Sequence, residues 1–233
     1  MKGLLYKDFF LLRSSLIFMG VFQLLVSGGA ILTAVLGLEW ELTVMLLTAC
    51  YYLPFLILTI LTQQLFLYDE KRSWRSFAGS TPASIKGQIL EKYYMILLLN
   101  ILLLFCCFLT DVVVVAIAKD MMISMSIIAM LIFCVQMFFQ AIEIPFVIRF
   151  GTAVGGSVKG ALLACLLFIV ICYGLFGNIS FLFEQDVLTA FMEWIRKGNV
   201  MWILAAFPYV AVAAYYLSYR ISVKIYKGVD YSE

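Results

Sequence analysis

Six apolar segments, at about residues 15–37, 43–67, 93–117, 122–148, 159–183 and 200–221, leave this chain few ways to fold. A helix needs roughly 20 apolar residues to cross the hydrocarbon layer of a bilayer, and each segment reaches that length. An outer-membrane barrel would show segments of about ten alternating residues instead, which these uninterrupted runs exclude. No water inside a bilayer can satisfy backbone groups, so each segment closes its hydrogen bonds on itself as an α-helix. Composition agrees: 65% of residues are hydrophobic and 13% charged, with a mean hydropathy of +1.06, whereas soluble domains are about half apolar. The expected class is an all-α integral membrane protein, one transmembrane domain over residues 1–233 with six spans. The first segment is too long for a cleavable signal, lacks its small-residue cleavage site and is followed by further spans, so it is read as a retained helix.

The loops between the segments set the orientation. Lys and Arg collect at the amino terminus (Lys2, Lys7, Arg13), in residues 68–92 (Lys71, Arg72, Arg75, Lys86, Lys92), after the fourth segment (Arg149, Lys159) and at the carboxyl end (Arg220, Lys224, Lys227). The alternate loops hold only Lys119, Arg196 and Lys197, a division of 13 against 3. Basic residues favour the cytoplasmic side, so both termini and residues 68–92 are expected there.

Two amphipathic stretches flank the spans. In residues 1–14, Lys2, Tyr6, Lys7, Arg13 and Ser14 occupy one arc of a helical wheel and Leu4, Leu5, Phe9, Leu11 and Leu12 the other, as in a helix lying in the membrane interface. Asp8 breaks the pattern by falling within the apolar arc. A salt bridge or a frayed helix would explain it, and so would a contact with residues 68–92 or with a partner. On the outer side, residues 185–199 place Val187, Leu188, Phe191, Trp194 and Ile195 on one face, with Asp186 as N-cap and Gly198 as C-cap.

Residues 68–92 form the long polar island between apolar walls. Asp69, Glu70, Lys71 and Arg72 follow the second segment, Trp74 and Phe77 share one side of a short helix, and Thr81 with Pro82 supplies an N-cap and first-turn pair. A helix started there would run through Ile85, Ile89 and Leu90 toward the third span. An aromatic pair amid charges suits a groove on another protein; the competing reading is a solvated loop whose Trp and Phe dip into the headgroups.

Inside the membrane, Gln136, Gln140 and Glu143 follow i, i+4, i+7 spacing and form one polar stripe. Such residues are costly in lipid and face a bundle interior or a watery path, so they either pair structurally, Glu143 with Lys92 or Arg149, or line or gate a route. Asn100, Gln63 and Thr59 are expected to form interhelical hydrogen bonds. Asp111 is expected to snorkel at the outer boundary.

Chemistry of the chain's own is not expected. There is no His, hence neither the usual general base nor the commonest zinc ligand. The six cysteines lie in apolar runs without metal-ligand spacing and read as packing residues. Residues 151–159 resemble a phosphate loop poorly, since Lys159 comes two places late and no strand precedes it; they read as a flexible cytoplasmic turn. No metal, cofactor or nucleic-acid site is expected, and energy must come from another chain.

The sequence resembles the membrane subunits of type-2 ATP-binding-cassette exporters, in particular small bacterial permeases encoded beside a separate ATPase. The resemblance spans nearly the whole chain and rests on Lys7-Asp8-Phe9, Asp69-Glu70-Lys71 with Trp74, Lys92-Tyr93, Ile144-Pro145 with Arg149-Phe150-Gly151, and Ser222-Val223-Lys224-Ile225-Tyr226. It implies a multi-pass protein of the bacterial cell membrane with six spans per subunit, two subunits per transporter, and a cytoplasmic coupling helix between spans two and three. That helix would dock on an ATPase, present in two copies, that binds the ATP and Mg. On this chain it maps to Asp69 through Ala78 or to the segment after Pro82. Thr81-Pro82 departs from the family's usual Leu-Pro pair, and Thr152-Ala153-Val154 stands where acidic residues are common. Relatives of this size include exporters of amphipathic or antimicrobial peptides. A membrane scaffold or immunity protein that binds a partner without transport remains the alternative.

Overall fold

The computed structural model describes residues 2–37, 40–67, 69, 85–117, 126–176 and 200–228. Among them there are helices and no strands: α1 (Lys2–Leu11), α2 (Arg13–Val35), α3 (Trp40–Leu67), α4 (Ile85–Ile117), α5 (Ser126–Phe150), α6 (Thr152–Phe176) and α7 (Val200–Gly228). Four stretches, Arg13–Val35, Leu42–Leu67, Gly87–Ile117 and Ser126–Phe150, are long and apolar enough to cross a membrane. Glu70 to Arg72, Trp74, Phe77, Thr81, Pro82 and the amphipathic stretch 185–199 lie outside the described residues.

The packing inverts that of a soluble protein. Phe18, Leu24, Leu25, Leu56, Ile60, Ile101, Phe105, Val212 and Leu217 are exposed, while Asp8, Gln23, Asn100, Asp111, Gln140, Glu143 and Lys159 are buried. Water would drive the apolar set inward; a lipid exterior removes that drive and makes an unshared polar group costly. The polar residues therefore turn inward to one another, while Leu47, Phe55, Leu58, Met95, Ile96, Met137 and Ile144 fill the space between them. α2 packs on α3, and α5 is sandwiched between α6 and α7. Pro54, Pro145 and Pro208 lie within helices, tolerated where neighbouring helices restore the lost backbone partners.

Three local features depart from the sequence reading. The amino-terminal helix ends at Leu11, and only Leu12 separates it from α2. Leu12 stays near helical geometry (φ −88°, ψ −1°) and continues the ladder, its amide bonding Asp8 O at 3.0 Å while Leu16 N bonds Leu12 O at 2.8 Å. Its buried side is Asp8 and Leu12, with Phe9 and Phe10 exposed, because Asp8 must reach the lysines described below. The third apolar segment begins as a helix at Ile85, well before residue 93.

The glycine-rich piece after the fourth segment is not a flexible turn. Gly151 alone separates α5 from α6, and its φ of +90° is one that residues with a Cβ rarely adopt. The chain reverses there and is helical again from Thr152. Gly155 lets the two helices meet: a Cβ on it would overlap the Val147 side chain and come 3.2 Å from Val147 Cα. The glycines thus serve close helix packing, and Lys159 is a buried helical residue rather than a loop cation.

Candidate functional site

Two buried ionic clusters stand out, one at the base of residues 68–92 and one within the bundle. The first gathers residues distant in sequence. Asp8 of α1 is 1% exposed and binds Lys7 Nζ at 2.9 Å and Lys92 Nζ at 3.4 Å. Lys92, near the start of α4, also donates to Asp69 at 2.7 Å and to Leu65 O at 3.0 Å, with Phe66 under its ammonium at 5.1 Å. Lys7 completes the ring by donating to Asp69 at 3.0 Å. Burial works against the Lys7 charge, but the hydrogen bonds to Asp8 and Asp69 outweigh it and hold its pKa above the ordinary lysine value.

This cluster fastens together the ends of the polar island, Asp69 after α3 and Lys92 in α4, and ties both to α1. Of the residues marked by sequence for coupling, the structure places Asp69 here together with Asp8. The resemblance marked Lys7-Asp8, Asp69 and Lys92 as separate motifs; here they form one contact. Tyr93, next to Lys92, extends the join to α7, where its hydroxyl lies 2.6 Å from Ser218 Oγ and 2.8 Å from Ser222 Oγ. Tyr215 of α7 donates to Tyr93 O at 2.9 Å, and its ring meets that of Tyr93 edge-on at 5.0 Å. Sequence reasoning did not find this tie. The signal available was a run of Tyr and Ser at helical spacing in α7, where Tyr215, Ser218 and Ser222 share a face.

The second cluster contains the polar stripe of α5. Gln136 donates to Thr59 at 2.8 Å, Gln140 accepts from Asn100 at 2.9 Å and donates to Thr62 at 3.5 Å, and Glu143 accepts from Gln63 at 3.0 Å. The stripe faces α3 and α4 inside the bundle, and Thr59, Gln63 and Asn100 supply interhelical bonds. Glu143 does not pair with Lys92 or Arg149. Its partner is Lys159 at 2.9 Å, and the two are 1% and 5% exposed. Gly151 explains the pairing, because Glu143 lies eight residues before it and Lys159 eight after. At about 1.5 Å per residue both sit roughly 12 Å from the reversal, so an antiparallel helix pair brings them level.

Beside this ladder, α3, α5 and α6 enclose a cavity of about 560 Å³. Tyr52, Phe55, Ile132 and Phe139 line it, and its polar wall is Thr59, Gln136 and Lys159. Gln136 thus borders open space, whereas Gln140 and Glu143 are not among the lining residues. Toward the other end, Asp111 is buried rather than snorkelling, since it accepts from Tyr51 at 3.0 Å and from Ser126 at 2.6 Å. Snorkelling is unnecessary when two neighbouring helices supply hydroxyl donors.

Among the described residues, no group of three or more His, Cys, Asp or Glu could hold a metal. Cys50, Cys106, Cys107, Cys134 and Cys165 are free thiols, and all but Cys106 and Cys165 are buried. Nothing in either ionic cluster presents a nucleophile paired with a base; both hold helices together.

Neither a curated protein nor a solved structure matches the chain. The sequence profile described as ABC-2 family transporter protein matches residues 3–227. That span takes in both ionic clusters and every helix the structure describes except the outermost residue at each end. The chain therefore belongs to the ABC-2 transporter family, as a multi-pass permease subunit of an ATP-binding-cassette transporter that works with an ATPase subunit.

Proposed function

We propose that two copies of this chain, or one copy and a paralogue, enclose an export path through the bacterial cell membrane. Each contributes six spans with both termini cytoplasmic, and two copies of the ATPase supply ATP and Mg. The ATPases dock on residues 68–92, with Trp74 and Phe77 as the aromatic plug and Asp69, Glu70, Lys71, Arg72, Thr81 and Pro82 framing it. The observation that carries this reading is the ring of Lys7, Asp8, Asp69 and Lys92 at the base of that segment. A force applied to the island meets a charged, buried joint between three helices. Motion is then passed on as a rigid-body shift rather than lost in a loose loop. The partner must contact the island differently in its two nucleotide states, because equal binding to both would shift nothing.

For substrates we favour amphipathic or antimicrobial peptides or other hydrophobic molecules. The apolar cavity bordered by Gln136 supports an apolar cargo met by a few polar groups, and Gln140 with Glu143 forms the gate behind it. The test is Trp74→Ala in the assembled transporter. It is expected to abolish ATPase association or transport while membrane insertion persists; retained coupling overturns the docking assignment. A scaffold without transport would leave the ATPase rate unchanged by candidate peptides, whereas an exporter changes it.

A further inference from the structure

The cluster at the base of the island contains a fifth ionisable group that its lysines do not serve. Glu91 is 5% exposed, and its Oε1 has no hydrogen-bond partner. Lys92, its neighbour in sequence, has three ammonium hydrogens, and Asp69, Leu65 O and Asp8 take all three. The Glu91 carboxyl instead lies in hydrogen-bonding contact with that of Asp8. Two carboxylates cannot hydrogen-bond to each other, since an ionised carboxylate only accepts. Two like charges sharing a buried site also disfavour double ionisation.

We propose that Glu91 and Asp8 share one proton, so that the base of residues 68–92 is a proton-binding site whose occupancy holds α1 against α4. Lys7 and Asp8 of α1, Asp69 after α3 and Lys92 of α4 are the charged groups facing Glu91 among the described residues. With the proton in place, two ammoniums meet two carboxylates and a neutral acid. Removing it sets two bare carboxylates against each other on facing helices, and α1 is the element free to move away. Glu91→Gln keeps a donor toward Asp8 and carries no ionisable proton, so it reproduces the protonated state at any pH.

The test uses the full chain in lipid bilayers. Infrared spectroscopy at neutral pH should show a protonated-carboxyl C=O band that shifts in D2O, disappears in Glu91→Gln and disappears from the native chain as pH rises. Amide exchange in α1 should accelerate at least tenfold over the same pH interval, below the range in which Lys7 deprotonates, while Glu91→Gln stays protected. Absence of the band from the native chain at neutral pH overturns the proposal, as does a band unaffected by Glu91→Gln. So does α1 protection that follows Na+ concentration rather than pH, which would make the occupant a metal cation. The native titration needs no variant, so a Glu91→Gln chain that fails to fold leaves the proposal open to refutation.

Discussion

Removing Lys159 while leaving Glu143 is the most informative perturbation of the bundle. Glu143 is essentially inaccessible and has two donors, Lys159 at 2.9 Å and Gln63 at 3.0 Å. Lys159→Met keeps the aliphatic stem but strips the counter-charge, stranding a carboxylate on a single neutral amide. Breaking a buried pair from one side costs roughly 3–5 kcal/mol, most of it the desolvation of the remaining charge, while replacing both partners by groups of similar volume is often neutral or better. Lys159→Met is therefore expected to lose about 3–5 kcal/mol. Lys159→Met with Glu143→Gln, which keeps a polar partner for Gln63, should recover most of that loss. The assay is reversible unfolding in detergent or bicelles for the native chain, both single variants and the double variant, closed as a thermodynamic cycle. A double variant as unstable as the sum of the singles would refute the argument, because the two residues would then act independently. A double variant that folds at native stability also allows the pair's role in transport to be read: full transport makes it purely structural, whereas lost transport assigns Glu143 to the path or gate.

Two further substitutions test the packing. Gly155→Leu forces a side chain into the Val147 contact between α5 and α6; overpacking of this kind costs at least about 1–3 kcal/mol, and unfolding measurements that show no loss would mean the helices do not approach as described. Asp111→Ala leaves the buried Tyr51 hydroxyl without its acceptor, a loss of about 1–3 kcal/mol. Tyr51→Phe combined with Asp111→Ala should restore part of it, and failure to do so would show that Asp111 acts through other contacts.

What the sequence displayed, and what it hid, follows from how far each signal reaches along the chain. Helix positions were legible because apolar length is a local property, and the inward turn of Gln136, Gln140 and Glu143 was legible because three residues on one helix face need no knowledge of a partner. Asp8 was conspicuous as a charge on an apolar arc, but its partners lie 61 and 84 residues away, at Asp69 through Lys7 and at Lys92 directly. Wheel geometry cannot supply such separations. Glu143 was assigned candidate partners by proximity to a membrane boundary, which ranked Lys92 and Arg149 and passed over Lys159. Treating residues 151–159 as a loop caused that miss. Once Gly151 is recognised as the whole turn, equal spacing on either side names the pair.

The same reasoning explains why charge counting alone is a weak guide to mechanism in a chain like this. Lys92 and Lys159 both contribute to the basic excess that orients the spans, yet each is spent inside the bundle on carboxylates. Neither is available to a lipid headgroup or to a docking partner while its ion pair holds. The exposed recognition chemistry of residues 68–92 therefore falls to Lys71, Arg72, Arg75 and the aromatic pair, while Asp69 and Lys92 belong to the joint beneath. A substitution in the first group should weaken partner binding and leave the bundle intact, whereas one in the second should loosen α1 from α4 with no partner present.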